Sequence, residues 1–265
     1  MPKNNPHDPN VRHLVLIPSY NTGWILHQTV ADALRHAWPV WVVIDGSTDK
    51  AAQNLLNTYQ RDPRVRIIWR TANGGKGAAV FDGLKAANEA GFTHALVMDA
   101  DGQHPFSLIP QFFETSCKWP AAMILGEPLF EKSAPRLRVV GRMVSNLLTK
   151  FETRGAVADS LFGFRVYPVA PLLSVMTTRH TMRGFDFDAE AVVRLNWQGV
   201  RAINFQVPVK YLRADEGGVS HFQYLRDNML LARMHLRLMF ELSVRALRVT
   251  AETLRHPAID RDDLP

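Results

Sequence analysis

The chain has 265 residues, 46% of them apolar and 21% charged, which is the balance of a folded domain with a sizeable core and excludes a disordered or fibrous polymer. A formal charge of +6 and a pI near 9.7 favour anionic partners: nucleic acid, phosphorylated small molecules or an anionic membrane face. The single cysteine, Cys117, excludes an internal disulfide framework and two-cysteine zinc motifs, so a cytosolic setting is expected.

In chain order, MPKNNPHDPN lacks the apolar core of a signal peptide, and no window of membrane-spanning length follows. RHLVLIP, residues 12–18, reads as a buried strand. VWVVID at 40–45, VRIIW at 65–69 and HALVMD at 94–99 repeat the pattern. Helical spacing occupies Gly23 to Ala37, Lys50 to Gln60 and Lys76 to Ala90. This alternation predicts an α/β fold with a single, mostly parallel, doubly wound sheet covered by helices on both faces. Ligands of such sheets sit beyond the C-terminal strand ends, so Ser19-Tyr20, Asp45-Gly46-Ser47 and Asp99-Ala100-Asp101 are expected to share one rim. Further on, residues 121–128 and 163–168 read as strands and 200–211 as a strand pair or bent strand. Residues 185–199 form a helix closed by Gly199. Two later stretches, Arg136 to Arg154 and Arg226 to Arg255, are basic and amphipathic. The domain reading is one main domain over 1–223, amphipathic helices over 224–256 and a loose tail over 257–265.

VMDADGQHP, residues 97–105, places Asp99 and Asp101 one residue apart at a strand end, where alternate side chains face the same way. Two carboxylates there repel unless a hard cation such as Mg²⁺ or Mn²⁺ joins them, and such ions use one or two carboxylates plus substrate phosphates; Gln103 can add a neutral oxygen. The competing reading is a solvated surface turn. An EF-hand is excluded because Pro110 stands where its bidentate Glu belongs. At the second rim Asp45 can accept from a base N–H and Ser47 can bind ribose or phosphate, although Asp-Gly-Ser is also an ordinary turn. NGGKGAAVFDGL puts glycine amides and Lys76 at a helix start, a setting that suits an anion. Neither a dinucleotide fingerprint nor a P-loop is present.

IPSYN, VVIDGSTD, NGGKGAAVFDGL, VMDADGQHP and DSLFGFRVY, in that order between about Leu14 and His221, resemble the family 2 glycosyltransferases, especially the branch that includes dolichyl-phosphate mannosyltransferase. The resemblance implies a GT-A fold, a nucleotide-diphosphate sugar donor (UDP- or GDP-linked), a divalent cation on the Asp-x-Asp pair and inversion at the anomeric carbon. It places Pro18, Tyr20, Asp45, Ser47, Lys76 and Ala100 beside the donor, with Asp99, Asp101 and Gln103 at the metal. RADEGGVSHF, 213–222, is similar to the loop that covers the donor phosphates in relatives, so Arg213 and His221 join the donor set, His221 in place of the usual lysine. Two further departures, Thr22 for an acidic residue and Ile44 for the first Asp of Asp-Asp-Gly-Ser, leave the base open.

Asp188 matches an acidic position of the family and is the candidate general base, with Asp186 and Glu190 as neighbours. An alcohol acceptor needs such a base, whereas a phosphate acceptor is already an anion. Asp159 and Arg165 either line the acceptor side or pair with each other. The basic helices suggest a lipid or polyprenyl-phosphate-like acceptor and peripheral association with the inner membrane face; core or dimer contacts are the alternative, and nucleic acid is not an implied partner. The competing activities are a sugar-phosphate nucleotidyltransferase, disfavoured because IPSYNTGW lacks a Gly-rich loop, and a non-catalytic nucleotide-sugar-binding protein.

Overall fold

The computed structural model describes residues 11–129, 136–209 and 224–255, with backbone alone for 136–140, 224–225 and 248–255. Arg213, His221 and the tail over 257–265 lie outside the described residues.

The elements in order are β1 (His13–Ser19), α1 (Ile25–Leu34), β2 (Val40–Asp45), α2 (Ala51–Tyr59), β3 (Val65–Arg70), α3 (Lys76–Glu89) and β4 (His94–Val97). After a short 3₁₀ turn come α4 (Ile109–Lys118), β5 (Met123–Leu129), α5 (Arg136–Glu152), β6 (Arg165–Pro168), α6 (Val169–Thr178), α7 (Phe187–Trp197), β7 (Ala202–Pro208) and α8 (Tyr224–Arg255). The strands form one seven-stranded sheet in the order β3-β2-β1-β4-β6-β5-β7.

Every residue of β1, β2 and β4 is buried, as unbroken apolar runs require when helices cover both faces. Alternation along β1 divides the core in two. Leu14 and Leu16 join α3, α6, α7 and α8, while Val15 and Ile17 join α1, α2 and α4. The chain leaves β1 for β2 and β3 on one side, then crosses to β4 on the other. The rim above the C-terminal ends of β1 and β4 is therefore the switch point at which α/β sheets bind ligands.

Two features depart from the sequence reading. β6 runs antiparallel to both β4 and β5, and α6 follows it directly. Residues 202–208 form one strand, parallel to β5. Helices α4 and α6 also stand where no element was assigned. Each carries a proline in its first turn, Pro110 and Pro171, where the missing N–H leaves no helical bond unmade.

A charged cluster at the C-terminal ends of the central strands

The chain leaves β1 through Ser19 and Tyr20, and this loop is stitched to the one after β2. Asn21 N–H donates to Ser47 Oγ at 3.0 Å, Asn21 Oδ1 accepts from Thr48 N–H at 2.8 Å, and Gly23 N–H donates to Asp49 Oδ2 at 2.9 Å. Pro18 is buried within β1 and Tyr20 is half-buried at its tip. Thr22 turns inward onto the Ser19 hydroxyl at 2.9 Å. The acidic group in this part of the rim comes from Asp49 instead.

Asp45 ends β2 almost fully buried. Its carboxylate accepts from the main-chain N–H of Gly74 at 3.0 Å and Gly75 at 2.8 Å, and from the Arg70 guanidinium. Arg70 in turn donates to Asp82 at 2.7 Å. These bonds correct the expectation that the NGGKG amides lie open to an anion. Gly74 and Gly75 serve Asp45, and Gly77 and Ala78 donate to the carbonyls of Gly184 and Arg183. Gly75 makes this turn possible with φ +92°, and a side chain there would strike the Arg183 carbonyl at 2.6 Å.

Lys76 opens α3, and its ammonium does not face an open anion site either. Nζ lies 2.6 Å from Asp99 Oδ1 and 2.6 Å from Asp188 Oδ2, with only 9% of the lysine side chain and 6% of the Asp188 side chain exposed. Burial opposes the lysine's charge, but the Asp188 and Asp99 carboxylates outweigh it and hold Nζ above the ordinary lysine range. Exclusion of water acts against ionisation of Asp99 as well; Lys76, then His104, hold its carboxyl far below the usual carboxylate range. His104 Nε2 sits 3.2 Å from Asp99 Oδ2. The result is one clamp that joins the tips of β4, α3 and α7.

Asp101 has the opposite balance. Burial first, then the charge on Asp99, push its carboxyl up, and the Gln103 N–H at 3.1 Å offsets only part of this. Two oxygens that repel one another beside a crevice form the donor set a hard divalent cation takes when substrate phosphates complete its shell. Asp99 and Asp101 therefore fit such an ion. Among the described residues no group of three or more His, Cys, Asp or Glu side chains is arranged to hold a metal by itself. Ala100 lies between the two acids and accepts from Thr29 Oγ1 through its carbonyl at 3.0 Å.

Asp159 and Arg165 stand behind the crevice wall. The Asp159 carboxylate is bidentate to Arg142 of α5 at 2.6 and 2.7 Å, and also accepts from Asn146 Nδ2 and the Phe162 N–H. Despite burial, Arg142 holds its carboxyl below the ordinary range. Fully buried Arg165 donates to Tyr167 Oη at 3.1 Å and to the Asp159 carbonyl at 3.0 Å, and also to the Asp188 carbonyl. The two residues thus meet through a main-chain oxygen, and Arg165 props Asp188 from behind instead of facing an acceptor. Glu190 is buried on Thr181, Arg194 and Arg237, and Asp186 accepts from Gly184 N–H. Of the three neighbouring acids, only Asp188 joins the clamp.

Three residues of the cluster escaped the sequence reading. His104 lies inside the quoted motif but was passed over for its acids. Arg70 ends β3 at the same rim level as Asp45, and a basic residue at a strand tip was the available signal. Gly163 presses against the clamp, since a Cβ there would lie 2.5 Å from Asp99 Oδ2 and 2.7 Å from Lys76 Nζ.

Residues 14–174 match the family described as Glycosyl transferase family 2. The chain belongs to that family. Among curated relatives, the undecaprenyl-phosphate mannosyltransferase of Micrococcus luteus is 25% identical over 219 residues, 78% of this chain and 86% of the relative. The polyprenol monophosphomannose synthase of Mycolicibacterium smegmatis is 27% identical over 222 residues, 79% and 80% of the two chains. Among solved structures, glucosyl-3-phosphoglycerate synthase from Mycobacterium tuberculosis, in complex with Mn²⁺, uridine diphosphate and glucosyl-3-phosphoglycerate, superposes with a TM-score of 0.59 at 16% identity, covering 92% of this chain and 85% of that one. Its complex with phosphoglyceric acid gives 0.61 at 15%, covering 90% and 85%. The fold is GT-A, as the five motifs implied, and this family 2 member is a glycosyltransferase.

Proposed function

We propose that the protein is an inverting, metal-dependent glycosyltransferase that moves a sugar from a nucleotide diphosphate to a polyprenyl-phosphate acceptor on the cytoplasmic side of a membrane. The observation that carries this reading is the pair Asp99 and Asp101 at the switch-point crevice, one held ionised by Lys76 and the other crowded by its neighbour. The relatives named for polyprenyl-phosphate transfer and the fold relative solved with Mn²⁺ and uridine diphosphate support it.

Asp99 and Asp101 would hold a divalent cation, whose chemistry would be to stabilise the charge that develops on the leaving group. The rest is the work of the chain. Lys76 fixes Asp99 so that its oxygens keep one orientation, and His104 backs it from the core side. The stitched loops after β1 and β2 hold Tyr20 and Ser47 along one edge, where they border the nucleotide, uridine or guanosine alike, while the expected nucleotide contact of Asp45 is replaced by its bonds to Arg70, Gly74 and Gly75.

The state of Asp188 bears on the acceptor. A general base needs a free oxygen within reach of the proton it removes. Asp188 spends Oδ2 on Lys76, and its other oxygen is buried without a protein partner. Oδ2 thus serves as counter-charge to Lys76 and only Oδ1 is left for proton transfer, whereas a phosphate acceptor, already anionic, needs no proton removed. Calorimetry with UDP- and GDP-sugars, with Mn²⁺ and with chelator, followed by transfer assays to a polyprenyl phosphate and to the matching polyprenol, tests the reading. Metal-dependent donor binding and turnover on the phosphate alone are expected. Donor binding unchanged in chelator would remove the metal, and turnover on the polyprenol that disappears in Asp188→Asn would restore Asp188 as a base.

A further inference from the structure

The inner face of α5 is polar. Ser145, Thr149, Glu152 and Thr153 lie along it, each 3% exposed or less. Against this face α8 packs His235, itself buried and flanked on its helix by the core residues Leu231, Met234 and Leu238. His235 Nδ1 lies 2.9 and 3.2 Å from the two Glu152 carboxylate oxygens, and Nε2 lies 3.0 Å from Ser145 Oγ. Ser145 Oγ is in turn 3.0 Å from Ser160 Oγ, whose hydroxyl donates to Asn146 Oδ1 at 2.7 Å. A single row of polar groups thus runs from α8 across α5 to the loop before β6.

Counting hydrogens fixes the direction of every bond in the row. A hydroxyl has one hydrogen to give, and an amide oxygen has none. Asn146 Oδ1 also accepts the Ser160 N–H at 2.8 Å while its Nδ2 donates to Asp159 at 2.9 Å, so the amide cannot be turned round. The Ser160 hydroxyl therefore spends its hydrogen on Asn146. Ser145 can then only donate to Ser160, which leaves His235 Nε2 as the donor to Ser145. A further hydrogen is needed between Nδ1 and Glu152. The His235–Glu152 pair thus holds one proton more than a neutral ring beside a carboxylate, and each donor in the row points from α8 toward Asn146.

We propose that His235 is a positioning residue for glycosyl transfer, acting through Ser145 and Ser160 on the loop that presses against the Asp99–Lys76 clamp. This rests on the reading of Asp99 as a metal ligand given above and adds what holds that residue in place. Asn146, oriented by the row, and Arg142 grip the Asp159 carboxylate, which accepts from the Leu161 N–H at 3.0 Å and the Phe162 N–H at 2.7 Å. Phe162 packs edge-on against His104, ring centroids 4.9 Å apart, and His104 backs Asp99. Gly163 follows, so close to Asp99 Oδ2 and Lys76 Nζ that a Cβ has no room there. An outward shift of this loop opens space behind Asp99, and its carboxylate loses the single orientation that a ligand to a hard cation requires.

Nitrogen NMR of the full chain labelled at histidine reads the ring directly. The His235 signals, assigned by their absence from His235→Gln, should show a hydrogen on Nε2 at neutral pH; a bare Nε2 overturns the proposal. Ser145→Ala cuts the row and keeps the His235–Glu152 pair. With the nucleotide sugar selected by the calorimetry above, its kcat should fall about tenfold while KM for the donor stays close to the parent's. Mn²⁺ affinity, read by electron paramagnetic resonance with the matching nucleoside diphosphate present, should weaken roughly tenfold. Thr149→Val is the control, because the Thr149 hydroxyl is buried on the same face without a hydrogen-bond partner; it should leave both values unchanged. His235→Gln should match Ser145→Ala, and the double variant should be no worse than either, since both substitutions cut one row. Should His235→Gln fail to fold, Ser145→Ala against Thr149→Val still decides. Equal effects of those two would reduce the face to a structural role and overturn the proposal. If the metal reading alone is at fault, Mn²⁺ binds neither parent nor variant and the fall in kcat persists; without that fall the positioning role is lost as well.

Discussion

Strands β1 and β4 lie side by side and parallel, so the same two strands supply both ends of the sheet, and the ends handle buried polar groups in opposite ways. At the N-terminal end His13 pairs in register with His94, their rings 5.3 Å apart. His13 Nε2 meets Ser116 Oγ at 2.6 Å, its ring packs on Phe113, and His94 Nε2 donates to the Pro120 carbonyl at 2.9 Å. Burial, then the neighbouring His94, lower His13 to about 3, and burial lowers His94 too, so this end holds neutral groups with satisfied hydrogen bonds. At the C-terminal end two cations, Lys76 and Arg70, face three carboxylates, Asp99, Asp188 and Asp45, and Asp101 adds a fourth. One end satisfies its buried histidines within the protein, beside an open cavity of about 610 Å³ lined by His94, Pro120 and Gly199. The other is charged and incomplete, which is the mark of a site that awaits a ligand.

The largest effect should come from removing the clamp's only cation. Lys76→Met leaves Asp188 without its counter-charge and Asp99 with His104 alone, and breaking a buried pair in this way costs about 3–5 kcal/mol. Chemical denaturation should show that loss, and Lys76→Met/Asp188→Asn should recover a good part of it. If Lys76→Met is as stable as the parent, the clamp is not a structural element.

Asp101→Asn should separate function from stability. Transfer is expected to fall by about 10²–10³-fold, the usual scale for losing a group that stabilises transition-state charge. The thermal midpoint should hold or rise, because the substitution relieves burial and repulsion from Asp99. A large drop in midpoint would mean that Asp101 is bonded in a way its surroundings do not suggest.

Acid should reach the two ends in different pH windows. The folded-state value of His13 lies below the unfolded value of 6.5. The unfolded chain therefore takes up its proton first, and stability that is complete above pH 6.5 is lost as pH falls toward 3. Between pH 6.5 and 5 this amounts to about 2 kcal/mol for His13 alone, with His94 adding in the same direction. Asp99 and Asp159 are depressed from 3.8, so their contribution is present above that value and is lost only as pH falls below it. His13→Asn should flatten the upper window and leave the lower one in place.

What was legible beforehand follows the same division. Uninterrupted apolar runs announced β1, β2 and β4, and their order with α1, α2 and α3 announced the parallel half of the sheet, because burial on both faces leaves a pattern in the chain itself. Strand direction leaves none, so β6 was read as a strand without its antiparallel sense. Asp99 and Asp101 were legible through their spacing. The grip of Lys76 on Asp188 was not, since those residues are far apart in sequence and only the packing of α3 against α7 brings them together. Glycine-rich amides at a helix start implied an open anion site; Asp45 and the 183–184 carbonyls fill that role locally, which no local pattern could reveal.

The smallest effects give the sharpest comparison, because they set one hydroxyl at each end of the sheet against the other. Ser116→Ala removes the partner of His13 Nε2 in a closed environment, which should cost about 1 kcal/mol of stability and leave kcat/KM for the donor unchanged. Ser47→Ala removes an acceptor for the Asn21 N–H in a half-exposed loop where water can replace it, so the thermal midpoint should barely move. That bond sets the distance between the loops after β1 and β2, however, and a looser pair should raise KM for the nucleotide sugar a few-fold with kcat little changed. If instead Ser116→Ala altered KM and Ser47→Ala altered only the midpoint, the assignment of the two ends of the sheet would have to be exchanged.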